Sequence, residues 1–328
     1  MKNFYEKYKL FTWVAIFAVL IALPQLTNSY LSGIFCRILL YATLAGSLNI
    51  INGYSGMMNV GHAGFVCIGA YTGALLSTRL GWPFLLQLLV GGMLASLVAL
   101  VLSKPIQRLK GIYLSIITMG FCEITRIISL NWSSLTGGPM GIKNIDAPKF
   151  FGYTFNSPKL YYYIFLALLV IFVFLTSRVL RSRVGRAWMS IREDDLAARS
   201  LGVKVGRYRS INLMYAAFFA GVCGATMGPY YRYIAPDMFT MDLSFNILSM
   251  VILGGQGTLI GPIVGAAIIN TVTEVFRFAA EYRIVMYATL IIAMMWVRPQ
   301  GLIGASNSML SGRTITKKEG QHGRAARI

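Results

Sequence analysis

The chain has 328 residues, of which 56% are hydrophobic and only 12% are charged. An ordinary soluble domain carries about 25% charged residues, so most of this chain cannot face water. The net charge of +19 does not indicate a nucleic-acid binder, because the cations lie between apolar runs and form no continuous polar face. Composition therefore predicts a multi-pass membrane protein with Lys and Arg retained on the cytoplasmic side.

Apolar runs long enough to cross a bilayer predict an all-α membrane helix bundle of about ten transmembrane helices. They lie near residues 10–27, 33–51, 62–79, 84–103, 111–131, 160–177, 211–231, 243–254, 260–279 and 284–297. The basic start and the apolar run after it could pass for a signal peptide. No convincing small-residue cleavage site accompanies Pro24, so we expect an uncleaved first helix.

Two segments interrupt this pattern. Residues 55–60 and 254–262 are too rich in glycine and polar groups for a helix that faces lipid. Open backbone at membrane depth has to be shielded by protein or line a cavity. We therefore predict a broken or re-entrant helix at each segment.

The distribution of Lys and Arg predicts the orientation. Most of them fall in the amino end, the turn 104–110, the loop 178–209 and the tail, which the positive-inside rule places in the cytoplasm together with both termini. The loop 131–159 is then external, and it either meets an extracellular partner or only covers the bundle. Residues 1–304 form the transmembrane domain, and 305–328 form a basic tail expected to be disordered.

The loop 178–209 contains a predicted amphipathic helix at residues 185–202. Its apolar face would hold Trp188, Ile191, Ala198 and Leu201, with charged residues on the other side. Such a helix can dock into a groove of a soluble subunit or rest on the membrane surface. Periodicity alone favours the membrane surface.

Several motifs occur in a fixed order along the chain. They are GYSGMMNVGHAGF at 53–65 with GAY at 69–71, GIYL at 111–114, LTGGP at 135–139, IRED at 191–194 with Ala197, Ala198, Leu201 and Gly202, LGGQGTLIGP at 253–262 and RPQGL at 298–302. Together they resemble LivM-type permeases, the membrane subunits of branched-chain amino acid ABC importers. The resemblance covers about residues 35–302.

The resemblance implies a permease subunit that moves branched-chain amino acids across the bacterial plasma (inner) membrane by alternating access. The implied partners are two cytoplasmic ATPase subunits, a second permease of the LivH type and an external substrate-binding protein. ATP and Mg would bind to the ATPases, because this chain lacks a phosphate-binding Gly-x-x-x-x-Gly-Lys-Ser/Thr loop. We predict no catalytic residue, cofactor, metal or nucleic acid for the chain itself.

The resemblance also assigns the helix that couples the permease to an ATPase. The implied coupling residues are Ile191, Arg192, Glu193, Asp194, Asp195, Ala197, Ala198, Leu201 and Gly202. The small residues among them match the core of the importer coupling motif. Leu196 stands at its usual glutamate position, and its later Leu-Pro ending is absent.

The candidate translocation path lies at the first glycine-rich break. Its residues are Asn59, His62, Tyr71, Gly53 and Gly56, because polar groups beside open backbone can hydrogen-bond a zwitterionic substrate. Structural roles are the alternative: His62 can cap the next helix or bond a carbonyl, Tyr71 can pack between helices, and the glycines can permit close helix contact.

Other classes of membrane protein remain as alternatives. The related permeases include carriers of urea or short amides and of sugars. An ion-coupled secondary transporter is the rival mechanism, and it would show an isolated intramembrane carboxylate. The spacing of Glu123 with Arg126 and of Glu274 with Arg277 instead predicts neutralised pairs on one helix face.

Overall fold

The computed structural model describes residues 23–25, 27–107, 109, 111–150, 153–154, 157–276, 289, 292, 296 and 301–303. The helices in chain order are α1 (Ser29–Asn49) with a π-helical turn (Ile50–Tyr54), α2 (His62–Leu80), α3 (Phe84–Ile106), α4 (Ile112–Asn131), α5 (Ser133–Thr136), α6 (Pro158–Arg181), α7 (Arg183–Glu193), α8 (Asp195–Ser200), α9 (Val205–Tyr231), α10 (Met241–Gly254) and α11 (Gly261–Val275). The architecture is an all-α bundle, as predicted.

Seven segments within the described residues are long and apolar enough to cross a membrane. They are α1 with its π-helical turn, α2, α3, α4, α6, α9, and α10 with the short 3₁₀ turn before it, Pro236–Phe239. The apolar α11 has 15 residues and is shorter than these. The helices match eight of the predicted runs. The runs 10–27 and 284–297 lie almost wholly outside the described residues, so the count of ten stays a prediction.

The spans differ in how much protein surrounds them. In α1 and α9, 72% and 78% of the most apolar window is buried, whereas in α3 and α4 the figures are 28% and 22%. α1 and α9 therefore form the centre of the bundle. The exposed sides of α3 and α4 carry large aliphatic side chains such as Leu97, Val101 and Ile124, which suit contact with lipid.

Glycines bring the central helices into backbone contact. A Cβ on Gly69 of α2 would lie 2.0 Å from the carbonyl oxygen of Gly221 in α9, and one on Gly224 would lie 2.1 Å from that of Val66. Gly91 of α3 approaches the same crossing, because its Cβ would lie 3.2 Å from the Gly69 oxygen. Small residues at such crossings permit close packing, and Gly69 therefore has a packing role between α2 and α9.

Among the described residues, Glu123 and Glu274 are each paired with an arginine. Glu123 accepts a hydrogen bond from Arg126 Nε at 3.0 Å on α4, as its spacing predicted. Arg126 also lies 3.5 Å from Asp237 in the 3₁₀ turn before α10. Glu274 pairs with Arg37 of α1; its predicted partner at position 277 lies outside the described residues.

The loop 131–159 covers one end of the bundle. After α5 and a 3₁₀ turn (Gly138–Met140), the strand β1 (Ile142–Lys143) pairs antiparallel with β4 (Tyr233–Ile234), which follows α9. The other strands, β2 (Lys149–Phe150) and β3 (Tyr153–Thr154), form a small hairpin. Buried Ile145 anchors this loop to the bundle. The described part of the loop therefore packs against the bundle.

The α2–α9 crossing predicts a stability difference between two glycine-to-alanine variants. Gly69→Ala places a methyl group against the Gly221 carbonyl and should lower the free energy of unfolding by about 1–3 kcal/mol. Gly120 on α4 has no atom near its Cβ position, so Gly120→Ala should be neutral or slightly stabilising. Thermal unfolding midpoints in mild detergent compare them, and equal midpoints would contradict the close crossing.

Candidate functional site

The first break separates α1 from α2. α1 ends in the π-helical turn, and residues 55–61 are not helical before α2 begins at His62. Most of the break is buried, including Ser55, Met57 and Asn59. Gly56 adopts a φ of 68°, a left-handed conformation that glycine takes without strain. The structure therefore shows a non-helical and mostly buried connection between α1 and α2 at the segment singled out from its composition.

Side chains supply hydrogen bonds to this open backbone. Asn52 Oδ1 accepts from Asn59 N at 3.1 Å, and Asn52 Nδ2 donates to Asn59 O at 3.2 Å. Thr118 Oγ1 of α4 accepts from Val60 N at 3.1 Å. Ser244 Oγ of α10 accepts from Ala63 N at 3.0 Å. These bonds replace the helical ladder that the break lacks.

The second break separates α10 from α11 at residues 255–260. Thr258 Oγ1 donates to Gly255 O and accepts from Gly261 N, both at 3.1 Å. The two helices pack closely around it, since a Cβ on Gly265 would lie 2.0 Å from Met250 O. This second break was also predicted from its composition.

The two breaks touch each other through Asn49, which sequence reasoning missed. Asn49 Oδ1 accepts from Gly257 N at 2.9 Å, and Asn49 Nδ2 donates to Thr258 O at 2.8 Å. A Cβ on Gly53 would lie 2.4 Å from Gly257 N. We call Asn49, Gly53, Gly257 and Thr258 the break junction. The available signal was a polar residue four positions before Gly53, hence on the same helix face.

The predicted path residues lie around the first break, and three of them are buried away from solvent in this conformation. Asn59, His62 and Tyr71 are almost wholly buried, Gly53 lies in the break junction, and Gly56 is exposed. His62 Nε2 bonds Ser47 Oγ at 2.8 Å, so it neither caps α2 nor meets a carbonyl. Asn59 Nδ2, His62 Nδ1 and the Tyr71 hydroxyl have no hydrogen-bond partner among the described residues.

The predicted amphipathic helix at 185–202 is two helices. α7 begins after Ser182, whose hydroxyl accepts from Val184 N at 3.2 Å, and α8 begins after Asp194, whose carboxylate accepts from Leu196 N at 2.7 Å. Asp194 itself is extended, with φ −154° and ψ 116°. A side-chain cap of this kind starts a new helix, and so the single predicted helix was wrong. We call α7 and α8 the docking segment.

The split changes which side chains share a face. Trp188, Ile191 and Ala198 are buried as predicted, and Trp188 Nε1 donates to Tyr208 O of α9 at 3.0 Å. Leu201 was placed on the same face but is 83% exposed. α8 ends at Ser200, so Leu201 lies in the turn that leads to Gly202 and does not continue the buried face of Ala198. Leu196 is 73% exposed beside it.

The other predicted coupling residues surround this pair. Glu193, Asp194 and Ala197 are exposed, and Gly202 ends α8 with a φ of 81° as the sequence suggested. Asp195 turns inward and lies 3.5 Å from Arg209 of α9. Arg192 is exposed as well, and its guanidinium reaches the break junction.

Two adjoining cavities beside the docking segment are strongly cationic. The larger, of about 590 Å³, is lined by Arg183, Arg186, Lys204 and Arg207 among other residues, none of which is acidic. The smaller, of about 380 Å³, adds Arg199 and shares two of these cations. The surface next to the exposed leucines therefore suits a partner with acidic side chains.

Comparison with known proteins identifies the relatives of this chain. The family described as "Branched-chain amino acid transport system / permease component" matches residues 30–295. The high-affinity branched-chain amino acid transport system permease protein LivM of Escherichia coli strain K12 is 34% identical over 327 residues, covering 93% of this chain and 77% of that protein. LivH of the same strain is 25% identical over 293 residues, covering 80% and 91%.

A more distant relative extends the range of organisms. A probable LivM permease of Methanocaldococcus jannaschii is 22% identical over 312 residues, covering 80% of this chain and 90% of that protein. No solved structure shows significant similarity to the chain. The family match runs from α1 to beyond α11 and includes both breaks and the docking segment. The chain therefore belongs to the family of branched-chain amino acid transport system permease components.

Proposed function

We propose that the chain is the permease subunit of an ATP-binding-cassette importer that carries branched-chain amino acids across the bacterial plasma membrane, with both termini in the cytoplasm. The names of the LivM and LivH relatives support this substrate. The observation that carries the proposal is the docking segment. It lies between the spans α6 and α9, and a single residue, Ser182, separates it from α6.

The docking segment combines a fixed base with an exposed apolar tip. Trp188 and Ile191 are buried against the bundle, whereas Leu196 and Leu201 are exposed on α8 and at its end. Isolated exposed leucines are common on protein surfaces. A pair of them on a helix fixed between two spans, beside a cationic rim, fits the groove of an ATPase subunit with apolar and acidic lining.

Two such ATPase subunits would hold ATP and Mg and perform the hydrolysis. A second permease of the LivH type would complete the membrane part, and an external binding protein would deliver the substrate near the loop 131–159. ATP-driven closure of the ATPases moves the docking segment. The helices then exchange between two arrangements that open the path to opposite sides.

The path residues are proposed to work only when the path opens. Buried polar atoms without a partner are rare in folded proteins, yet Asn59 Nδ2, His62 Nδ1 and the Tyr71 hydroxyl are all in this state. An amino acid carries an ammonium and a carboxylate that these groups and the open backbone at Gly53 and Gly56 can hydrogen-bond. We assign them to the substrate path on this basis.

An ion-driven carrier is less well supported. Such a carrier uses a carboxylate that loses and regains a proton or a cation at membrane depth. Glu123 and Glu274 are both held by arginine. Neither is therefore suited to carry a coupling ion.

The docking assignment predicts that two exposed leucines are needed to hold the ATPases. Changing both Leu196→Asp and Leu201→Asp should release the cognate ATPase subunits during co-purification in mild detergent, because the apolar tip becomes charged. The fold should persist, since both side chains are exposed. Met140→Asp is the matched control, as Met140 is 69% exposed in the loop 131–159. Retention of the ATPases by the double variant would contradict the assignment.

The path assignment predicts opposite behaviour for two tyrosines. Tyr71→Phe removes a hydroxyl without a partner, so it should leave stability unchanged but weaken leucine uptake by several-fold through a higher KM. Tyr161→Phe removes the hydrogen bond to Pro229 O at 2.8 Å, which should cost about 1 kcal/mol of stability without changing KM. Uptake into proteoliposomes and thermal unfolding separate the two effects; an unchanged KM for Tyr71→Phe would exclude its hydroxyl from the path.

A further inference from the structure

Arg192 connects the docking segment to the break junction. It lies in the last turn of α7, and its Nη1 donates to the Gly53 carbonyl at 2.5 Å. The guanidinium also contacts Gly257 of the second break. A Cβ on Gly257 would lie 2.3 Å from Nη1 and would therefore overlap the guanidinium. One side chain therefore contacts both breaks.

The stem of Arg192 packs against the first break as well. A Cβ on Gly56 would lie 3.3 Å from Arg192 Cγ and 3.6 Å from its Cβ. Gly56 and Gly257 thus leave room for the stem and the head of the same arginine. The backbone at Gly56 and Gly257 therefore lines the Arg192 side chain, and the Gly53 carbonyl lies at its end. We call these three glycines the Arg192 seat.

The electrostatics of this seat favour a cation. The π-helical turn ends α1, and the last carbonyls of a helix lack donors within the helix. These carbonyls carry the negative end of the helix dipole, which a positive side chain stabilises. Arg192 supplies both the charge and a donor for the Gly53 carbonyl.

Direct contacts connect the docking segment to α9, to the end of α1 and, through Asn49, to the second break. Trp188 fixes α7 to α9 through Tyr208 O. Arg192 fixes the other end of α7 to the end of α1, and Asn49 fixes that end to the second break between α10 and α11. A displacement of α8 therefore reaches both breaks through a short series of direct contacts.

We propose that Arg192 is a positioning residue that couples the docking segment to the break junction, so that docking-driven movement changes the arrangement of both breaks. This inference rests on the proposed function. It gives Arg192 a role beyond the ATPase contact expected of it, because its guanidinium donates to Gly53 in the break junction.

The first test compares transport with ATP hydrolysis. The purified importer with Arg192→Gln is reconstituted in proteoliposomes, and radiolabelled leucine uptake is divided by ATP consumed. The variant should keep its ATPase subunits and hydrolyse ATP, while uptake per ATP falls roughly 2- to 30-fold, the range of such coupling effects. Arg192→Lys should recover part of the loss, since lysine keeps the charge and one donor.

Arg181→Gln is the matched control. Arg181 is an exposed arginine at the end of α6, outside both cavities and the break junction. Its removal should leave uptake per ATP unchanged. Equal uptake per ATP for Arg192→Gln and Arg181→Gln would overturn the coupling role.

A reversible crosslink provides a second, independent test. The Cβ positions of residues 56 and 192 lie 3.6 Å apart, within the range for a disulfide. Gly56→Cys alone sets the reference uptake per ATP, because Gly56 belongs to the proposed path and has a φ of 68°. Arg192→Cys should lose coupling, and the pair Gly56→Cys with Arg192→Cys should return to the Gly56→Cys reference when oxidised and fall below it when reduced. If the oxidised pair forms the disulfide but stays uncoupled, joined movement of α7 and the first break is refuted.

The proposed function fails separately from this inference. If the unaltered chain recruits no ATPase, or if its complex hydrolyses ATP without taking up leucine, the importer assignment is wrong and the inference falls with it. If the unaltered complex transports leucine and the Arg192 variants take up as much leucine per ATP as Arg181→Gln does, the importer assignment stands. The coupling role is then wrong.

Discussion

The bilayer core offers no water to an open backbone, and this constraint determines the centre of the structure. Two non-helical stretches, 55–61 and 255–260, connect helices of the bundle, and their buried backbone groups have to find hydrogen-bond partners inside the protein. Asn52 and Thr118 serve the first break, and Thr258 serves the second. Asn49 then joins the two breaks through a pair of hydrogen bonds.

These hydrogen bonds matter more for arrangement than for net stability. A typical hydrogen bond contributes only about 0.5–1.5 kcal/mol net, whereas a buried group left without a partner costs about 1–3 kcal/mol. Breaking the Asn49 contacts would leave the Asn49 side-chain amide, the Gly257 N–H and the Thr258 carbonyl without these hydrogen-bond partners. The two breaks therefore favour a small number of discrete arrangements, which is what a transporter that alternates between two states requires.

The glycine contacts set how close the elements come, and the polar contacts set their register. At the α2–α9 crossing, glycines alone define the spacing. At the break junction, Gly53 and Gly257 permit an approach that the Asn49 amide then orients. Arg192 enters the same space from the docking segment, so one region combines non-helical backbone, a charge and a connection to the surface where we propose that the ATPase binds.

The sequence predicted the features that depend on local composition. Hydropathy located eight helices, and glycine content located both breaks. The contact of Asn49 with Gly257 was missed because it joins residues 208 positions apart, and nothing local marks such a pair. Leu201 was misplaced because α8 ends at Ser200 and leaves Leu201 in the turn before Gly202. Arg192 was assigned to the right segment, but its contact with Gly53 joins residues 139 positions apart and has no local signal.

Cryo-electron microscopy of the assembled importer in nucleotide-free and ATP-bound states tests the central claim most directly. The account predicts that α7 shifts relative to α3 and α4 between the states, while Arg192 Nη1 stays within hydrogen-bond distance of Gly53 O and Asn49 Oδ1 stays within that distance of Gly257 N. A structure in which α7 shifts while both breaks keep their positions and the Arg192 contact opens would contradict it.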